Sequence, residues 1–566
     1  LTSSVNKKCH VDDVLDEFSI FGRYHLKVMV LVNLAFLSNI LYATNYVFAA
    51  ESSAYRCKDG YDNVSQCPSV SLSLQSCLDT EGRDSAAKSI SLPMCLFVVC
   101  SYQLNINLMF QFGLACQEWK ITLVGTAHSV GYMAGLLIVG PMSDRLMFGR
   151  KAAIVTTGVL SGVLGLARSF SPWYWFYIAM AFLESAIGDI CSPFYVLEME
   201  IVSARNKVRF NMFCSLGFIF GGILLSAVAW LVPYWRTFLR VIYMPALLFL
   251  SYLYFLDESP RWLLMRGKKD EAVKILRNAA KKNKITLDKT VLDNLFCEAD
   301  KKVKFLDVLA RTFKSSVLRL RFFVCVIWWN TSTFVYYGMV INSVSLPGNK
   351  YVNFAITAAM ELPGALAITY ILLHFNRKRP LMISFFLGGL LCLMQPFVPV
   401  DQPWLSITMY MVGKLTASIY FGITYMYTSE LFPTYTRNSM HALCSSLGRI
   451  GNIVAPQTPL LLSIWSGLPT MVFGLTAVVA GLATLLVPDV ANEALPDTVR
   501  QAEALGKSKS AELSGEVNHG LEESNLISRF IIFGFSWYIL DYYGQNYFRE
   551  INKNKGFWYG NRQYVI

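Results

Sequence analysis

Apolar residues in this chain come in long runs rather than short periodic patches. A helix needs about 20 mostly apolar residues to cross the hydrocarbon core of a bilayer. Twelve stretches meet that length: 25–50, 121–142, 151–168, 174–198, 210–232, 237–256, 321–344, 351–374, 380–398, 404–428, 440–463 and 467–487. Backbone polar groups find no water in lipid, so such runs read as helices whose hydrogen bonds close internally. Alternation of period two is absent, which argues against a β-barrel. The pattern predicts an all-α membrane protein with twelve transmembrane spans.

The spans fall into six plus six around a polar insert. The predicted organisation is a first segment 1–24, a six-helix bundle 25–256 with a large loop 51–120, a central insert 257–320, a second six-helix bundle 321–487 and a tail 488–566. Two such halves, related by pseudo-symmetry, are a common plan for secondary transporters. No strong sequence repeat links them, so the symmetry rests on spacing.

Composition agrees. Charged residues are 16% of the 566 and apolar residues 54%, where a soluble protein has about 25% charged. The net charge of +12 first suggests nucleic acid, but its placement argues against that partner. Lys and Arg gather in the insert and in three connectors: Arg145, Arg150 and Lys151; Arg205, Lys207 and Arg209; Arg377, Lys378 and Arg379. Positive loops stay in the cytoplasm. The insert and both termini are therefore expected there, and loop 51–120 outside the cell, in the plasma membrane. That loop holds five bases and seven acids.

The outer loop carries Cys57, Cys67, Cys77, Cys95, Cys100 and Cys116. An even number outside the cell points to disulfides, whose connectivity sequence does not choose. Cys95 and Cys100 lie in an apolar run, so the alternative to disulfides is two free buried thiols. Asn63-Val64-Ser65 is a glycosylation acceptor, whereas Asn330-Thr331-Ser332 falls inside span 7, out of reach. No cleavable signal pattern stands at Leu1. Residues 508–528 are polar and read as flexible. Residues 530–540 form an apolar run too short to span, either a segment on the membrane surface or a non-native tail.

Between spans 2 and 3 the chain reads Gly140-Pro141-Met142-Ser143-Asp144-Arg145, then Gly149-Arg150-Lys151. Asp144 suits a helix N-terminus or an arginine of the other half, and Gly149 a tight turn. Further motifs are Glu258-Ser259-Pro260-Arg261-Trp262-Leu263 after span 6, Glu430-Leu431-Phe432-Pro433-Thr434 with Arg437-Asn438 after span 10, and Leu495-Pro496-Asp497-Thr498 after span 12. Trp329, Tyr336-Tyr337-Gly338 and Asn342 mark span 7, and Cys116 precedes Trp119. Over about residues 12–503, this set resembles the organic cation, organic anion and carnitine transporter branch of the major facilitator superfamily. The first motif departs from the family's by about two extra residues before Gly149.

The resemblance implies a solute site at mid-membrane and alternating access, with Gly140, Asp144, Arg145, Gly149, Arg150, Glu258, Arg261, Glu430 and Arg437 serving the gates. It implies a small organic ion as substrate and places Trp329, Tyr336 and Phe421 on the cavity wall. Aromatic faces attract organic cations, although interhelical packing explains most aromatics equally well. Charges inside a membrane are costly and default to functional roles. Glu361 lies midway along span 8, where cation and carnitine carriers of the branch have an acid. Arg449 matches an arginine of anion and carnitine carriers. An acid and a base together suit a zwitterion, unless the two pair with each other as a gate. Asp189 and Glu184 in span 4 and Lys414 in span 10 are further buried charges. Asp189 reads either as part of a cation site or as a structural partner, and Lys414 as a counterweight to a nearby acid.

No cofactor is expected, sodium or proton coupling is left open, and sequence leaves the oligomeric state unknown. A sugar or polyol porter shares the loop motifs but has no use for these charges. A transport-dead receptor or scaffold would exploit the large loop. Enzyme chemistry is disfavoured: no metal-ligand spacing or nucleophile elbow is present, and the six His residues are scattered.

Overall fold

The computed structural model describes residues 9–50, 108–114, 117–145, 149–188, 191–203, 206–285, 295–296, 313–399 and 401–489, without the side chains of 9–13, 110, 137–145, 192, 207–208, 211, 295–296, 373 and 434–439. Helix stands at all twelve predicted positions. Spans 1 to 6 are Arg23–Ala49, Glu118–Arg145, Gly149–Ser169, the pair Tyr174–Ile187 and Cys191–Ile201, Lys207–Leu231 and Trp235–Phe255. Spans 7 to 12 are Ser316–Ser345, the pair Lys350–Ala359 and Glu361–His374, Lys378–Phe397, Pro403–Glu430, Thr434–Val454 continued by Ala455–Ser463, and Leu468–Thr484.

Prolines explain where several spans are irregular. Span 6 tightens into a 3-10 helix over Met244–Ser251, starting beside Pro245. Span 11 does the same over Ala455–Ser463, with Pro456 near its start and Pro459 inside. Proline has no N–H to give the preceding turn, so the regular ladder is lost there. Two connectors are shorter than expected. Span 2 runs on to Arg145, so Asp144 and Arg145 belong to the same helix as Gly140 rather than to a loop. Span 10 continues to Glu430 and span 11 starts at Thr434, which places Arg437 on a helix as well.

Buried apolar side chains gather in two large clusters and a small one of Trp262, Leu263 and Ala272 in the insert. One large cluster centres on the first six spans and takes in Val340, Ile341, Phe354 and Ala455 from the second half. The other large cluster belongs to the last six spans. Large apolar residues such as Leu26, Val30, Leu224, Trp230, Leu387 and Leu390 are exposed along the outer faces, as a bilayer-facing surface requires.

The insert contributes two described helices, Pro260–Met265 and Lys269–Asn283. The first is capped by Ser259, whose hydroxyl accepts from the Trp262 N–H, and has Pro260 at its first position, the arrangement these residue types favour. The second buries Ala272, Leu276, Ala279 and Ala280 and presents its charges outward. A two-residue parallel bridge joins Cys9–His10 to Leu295–Phe296.

Candidate functional site

Span 8 is broken at Met360, between Lys350–Ala359 and Glu361–His374. Pro363 lacks the N–H that would bond the carbonyl of Ala359, so the ladder fails there and the second piece starts afresh. Glu361 thereby occupies the first turn of a helix, where the dipole favours an acid. Its carboxylate accepts a hydrogen bond from the Tyr336 hydroxyl and lies 3.4 Å from Lys414 Nζ. That ammonium also stands 3.2 Å from the centre of the Tyr336 ring. Lys414 is fully enclosed, while the Glu361 side chain keeps 21% of its surface open.

Aromatic rings extend this cluster. Tyr336 stacks on Phe421 at 5.4 Å and meets Tyr337 edge-on at 5.2 Å. Trp329 meets Phe421 edge-on at 6.0 Å. It is itself buried, donates from Nε1 to Thr428 at 3.1 Å and packs against Tyr425 and His441. Trp329 thus backs the wall that Phe421 and Tyr336 form. Arg449 reaches across to the first half: its guanidinium sits 5.1 Å from the Tyr132 ring of span 2, and Tyr337 lies within its electrostatic reach. The direct Glu361–Arg449 gate raised from sequence is not formed, because the ion pair of Glu361 goes to Lys414. Lys414 is the counterweight expected.

The first half buries a second charged network, most of it unheralded in the sequence. Glu184 lies 3.5 Å from Arg168 Nη1 and 3.5 Å from His128 Nδ1, and Ser161 donates to it at 3.3 Å. Arg168 also donates to Asn45 at 2.6 Å and to the Tyr243 hydroxyl at 3.1 Å, and Asn45 donates to the same hydroxyl at 3.0 Å. The Arg168 and Glu184 side chains are 1% and 2% exposed. Arg168 lies in the last turn of span 3. Its only sequence signal is an arginine followed by Ser169, Phe170 and Ser171 rather than by a basic connector.

Gate residues meet where the insert begins. Gly149 has φ +70° and its missing Cβ would run into the Glu258 carboxylate, so the turn needs glycine. Glu258 accepts from the backbone N–H groups of Arg150 at 2.9 Å, Lys151 at 3.1 Å and Ser259 at 3.0 Å. Burial pushes its carboxyl up from the ordinary value, and these donors with the Arg150 guanidinium draw it back. Arg150 pairs with Glu200 at 3.0 Å, and Arg261 donates to the carbonyl of Glu200 at 3.0 Å. In the second half Glu430 pairs with Arg377 at 3.3 Å. Arg150, Glu258 and Arg261 thus form one structure with Glu200, a partner sequence did not supply.

The two halves touch most closely at the end opposite the insert. Thr122 donates to Gln457 at 3.0 Å, Gln457 to Thr126 at 2.5 Å, and Ser226 to the Tyr351 carbonyl at 2.5 Å. Phe48 packs on Tyr351 and Phe354. Nearer the insert, the Tyr195 hydroxyl of span 4 and that of Tyr425 in span 10 lie within electrostatic reach of each other. Asn330 is held within span 7 by Val326 and Gly451. Asp189, Asn63, the six loop cysteines and Leu495–Thr498 lie outside the described residues, as do the side chains of Asp144, Arg145 and Arg437.

Comparison with known proteins adds the following. The family described as sugar (and other) transporter matches residues 32–500. An organic cation transporter protein of Drosophila melanogaster is 32% identical over 435 residues, covering 73% of this chain and 78% of that protein. Solute carrier family 22 member 1 of Bos taurus is 32% identical over 402 residues, 70% and 71% of the two chains. Solute carrier family 22 member 2 of Homo sapiens is 30% identical over 403 residues, 70% and 72%. Among solved structures, the inward open xylose transporter XylE of E. coli superposes with a TM-score of 0.55 at 16% identity, over 84% of this chain and 99% of that one. The architecture is the major facilitator fold.

Proposed function

The chain belongs to the sugar (and other) transporter family, alongside the solute carrier family 22 proteins, and from that premise we propose that it carries small organic cations or zwitterions across the plasma membrane by alternating access. The observation that carries this reading is the partly open Glu361 carboxylate between Tyr336 and Lys414. A solute cation entering between the halves takes the place of the Lys414 ammonium beside Glu361, against the Tyr336–Phe421 stack. Desolvated cation–π contacts are worth about 2 kcal/mol. Arg449, one wall away, receives the carboxylate of a zwitterion.

The loop end, closed by Thr122, Gln457, Ser226 and Tyr351, faces outward, and the insert end, with its surplus of Lys and Arg, faces the cytoplasm. Rocking of the halves about the Glu361 level opens the insert end by parting Tyr195 from Tyr425. For a monovalent cation the membrane potential supplies about 2.3 kcal/mol per 100 mV. That supports accumulation of more than about tenfold without any pump.

Uptake of labelled tetraethylammonium, carnitine, para-aminohippurate and glucose in oocytes, at two potentials and with or without sodium, tests the proposal. Expected is potential-dependent entry of tetraethylammonium or entry of carnitine, lost in Glu361→Gln, with the carnitine signal lost in Arg449→Ala. Uptake of para-aminohippurate or glucose alone overturns the substrate class, and the sodium arm reads coupling.

A further inference from the structure

At the insert end three elements bring lysines together. Span 1 carries Lys27 one turn inside its start, Lys151 opens span 3, and Lys282 stands near the end of the insert helix Lys269–Asn283. Lys151 and Lys282 both lie within electrostatic reach of Lys27, and the acid facing it is Asp257, which follows span 6. The positions are mutually consistent. Lys282 Nζ is 5.8 Å from the centre of the Tyr24 ring, Asp257 also acts on Tyr24, and Lys27 Nζ is 5.7 Å from the centre of the Phe255 ring. The neighbouring acid, Glu258, is committed to the backbone N–H groups of Arg150, Lys151 and Ser259. Lys151 and Lys282 thus add positive charge around Lys27, which Asp257 partly offsets.

This gathering is held by the fold. Asn283 Oδ1 accepts from the Tyr24 N–H at 2.9 Å, capping span 1 from a segment 259 residues away. Gly22 leaves room for that side chain, which a Cβ at position 22 would strike. Leu276, Ala279 and Ala280 anchor the insert helix beneath it. Beside the lysines the surface is apolar and open: Leu26 is 48% exposed, Phe255 53% and Tyr254 87%. A cluster of surplus positive charge bordering such a face matches an amphipathic anion with a phosphate at one end and hydrocarbon at the other. A free phosphate has no use for the apolar border.

We propose that Lys27, Lys151 and Lys282 bind the headgroup phosphate of an anionic phospholipid whose acyl chains lie along Leu26, Tyr254 and Phe255. The inference rests on the reading above only in assigning that lipid to the cytoplasmic leaflet. Lysine stems bend so that the ammonium reaches the headgroup level while the methylenes stay on apolar surface. A lipid held there ties span 1, span 3 and the insert helix to one another.

The full chain, purified into nanodiscs of phosphatidylcholine doped with phosphatidylinositol 4-phosphate or phosphatidylserine, is assayed by native mass spectrometry for retained lipid. One lysine near an anionic headgroup is worth about fivefold in affinity, so K27Q/K151Q/K282Q loses roughly a hundredfold. The control K268Q/K274Q/R277Q removes the same charge from exposed positions on or beside the insert helix and keeps the lipid. K27R/K151R/K282R retains it, showing that loss is not misfolding. Equal loss in both triple variants, no retention by the wild type, or full displacement by inorganic phosphate overturns the proposal. Both leaflets of the disc have one composition, so the result is independent of orientation. Membrane-impermeant labelling of a cysteine at position 281 tests orientation separately.

Discussion

Each half of the molecule buries a carboxylate against a cation, and the two pairs differ in what surrounds them. Glu184 and Arg168 are enclosed to within 2% of their surface and are met by His128, Ser161, Asn45 and Tyr243. Glu361 and Lys414 share one contact at 3.4 Å, with Glu361 21% open and placed at a helix break. A sealed, many-partnered pair fixes how spans 1, 2, 3, 4 and 6 meet. A pair with one open oxygen and a mobile-length lysine as its partner has something left to exchange with a solute. Intramembrane charge alone does not separate these roles; enclosure and the number of partners do.

The sharpest way to break the comparison is to remove one member of each pair. Arg168→Met leaves Glu184 buried without its main cation, and losing one partner of a buried pair costs about 3–5 kcal/mol. The expected result is a collapse of folded yield in fluorescence-detected size-exclusion chromatography. The double variant R168M/E184L recovers part of that yield and transport with it. Glu361→Gln is expected to keep the folded yield but to lower cation uptake about 10- to 100-fold, the loss of one charge-assisted contact to the solute of about 1.4–2.8 kcal/mol. Here the double variant E361Q/K414M restores no uptake. If it does, Glu361 is as structural as Glu184, and the proposed site is wrong.

Smaller effects sharpen the picture at the insert end. Gly149→Ala forces a left-handed backbone on a residue with a Cβ, at about 1–2 kcal/mol, and displaces Glu258. A lower melting temperature with slowed uptake is expected. Asn283→Ala removes the cap of span 1, about 1 kcal/mol, and should lower the melting temperature by a few degrees at most, with uptake near normal. A larger loss would mean that the insert helix is a gate rather than a brace.

Much of the fold was legible beforehand. The twelve helices follow from run length, because lipid leaves a backbone no other way to satisfy its hydrogen bonds. The turn at Gly149 was readable from its residue type. The ends of spans 2 and 10 were not, since polar residues such as Asp144 and Glu430 continue a helix once neighbouring helices support it.

At the candidate site, residue type announced the charges Glu361, Lys414 and Arg449, because charge inside a membrane calls for explanation by itself, whereas Tyr336 and Phe421 came from the family resemblance. Which of them meet was decided by tertiary structure alone. Sequence allowed Glu361 to pair with Arg449; packing of span 8 against span 10 gave it to Lys414 instead and turned Arg449 toward Tyr132. The same holds for Asn283, which caps a helix 259 positions distant. Local chemistry is written along the chain, whereas a contact between distant residues exists only once the helices are placed side by side.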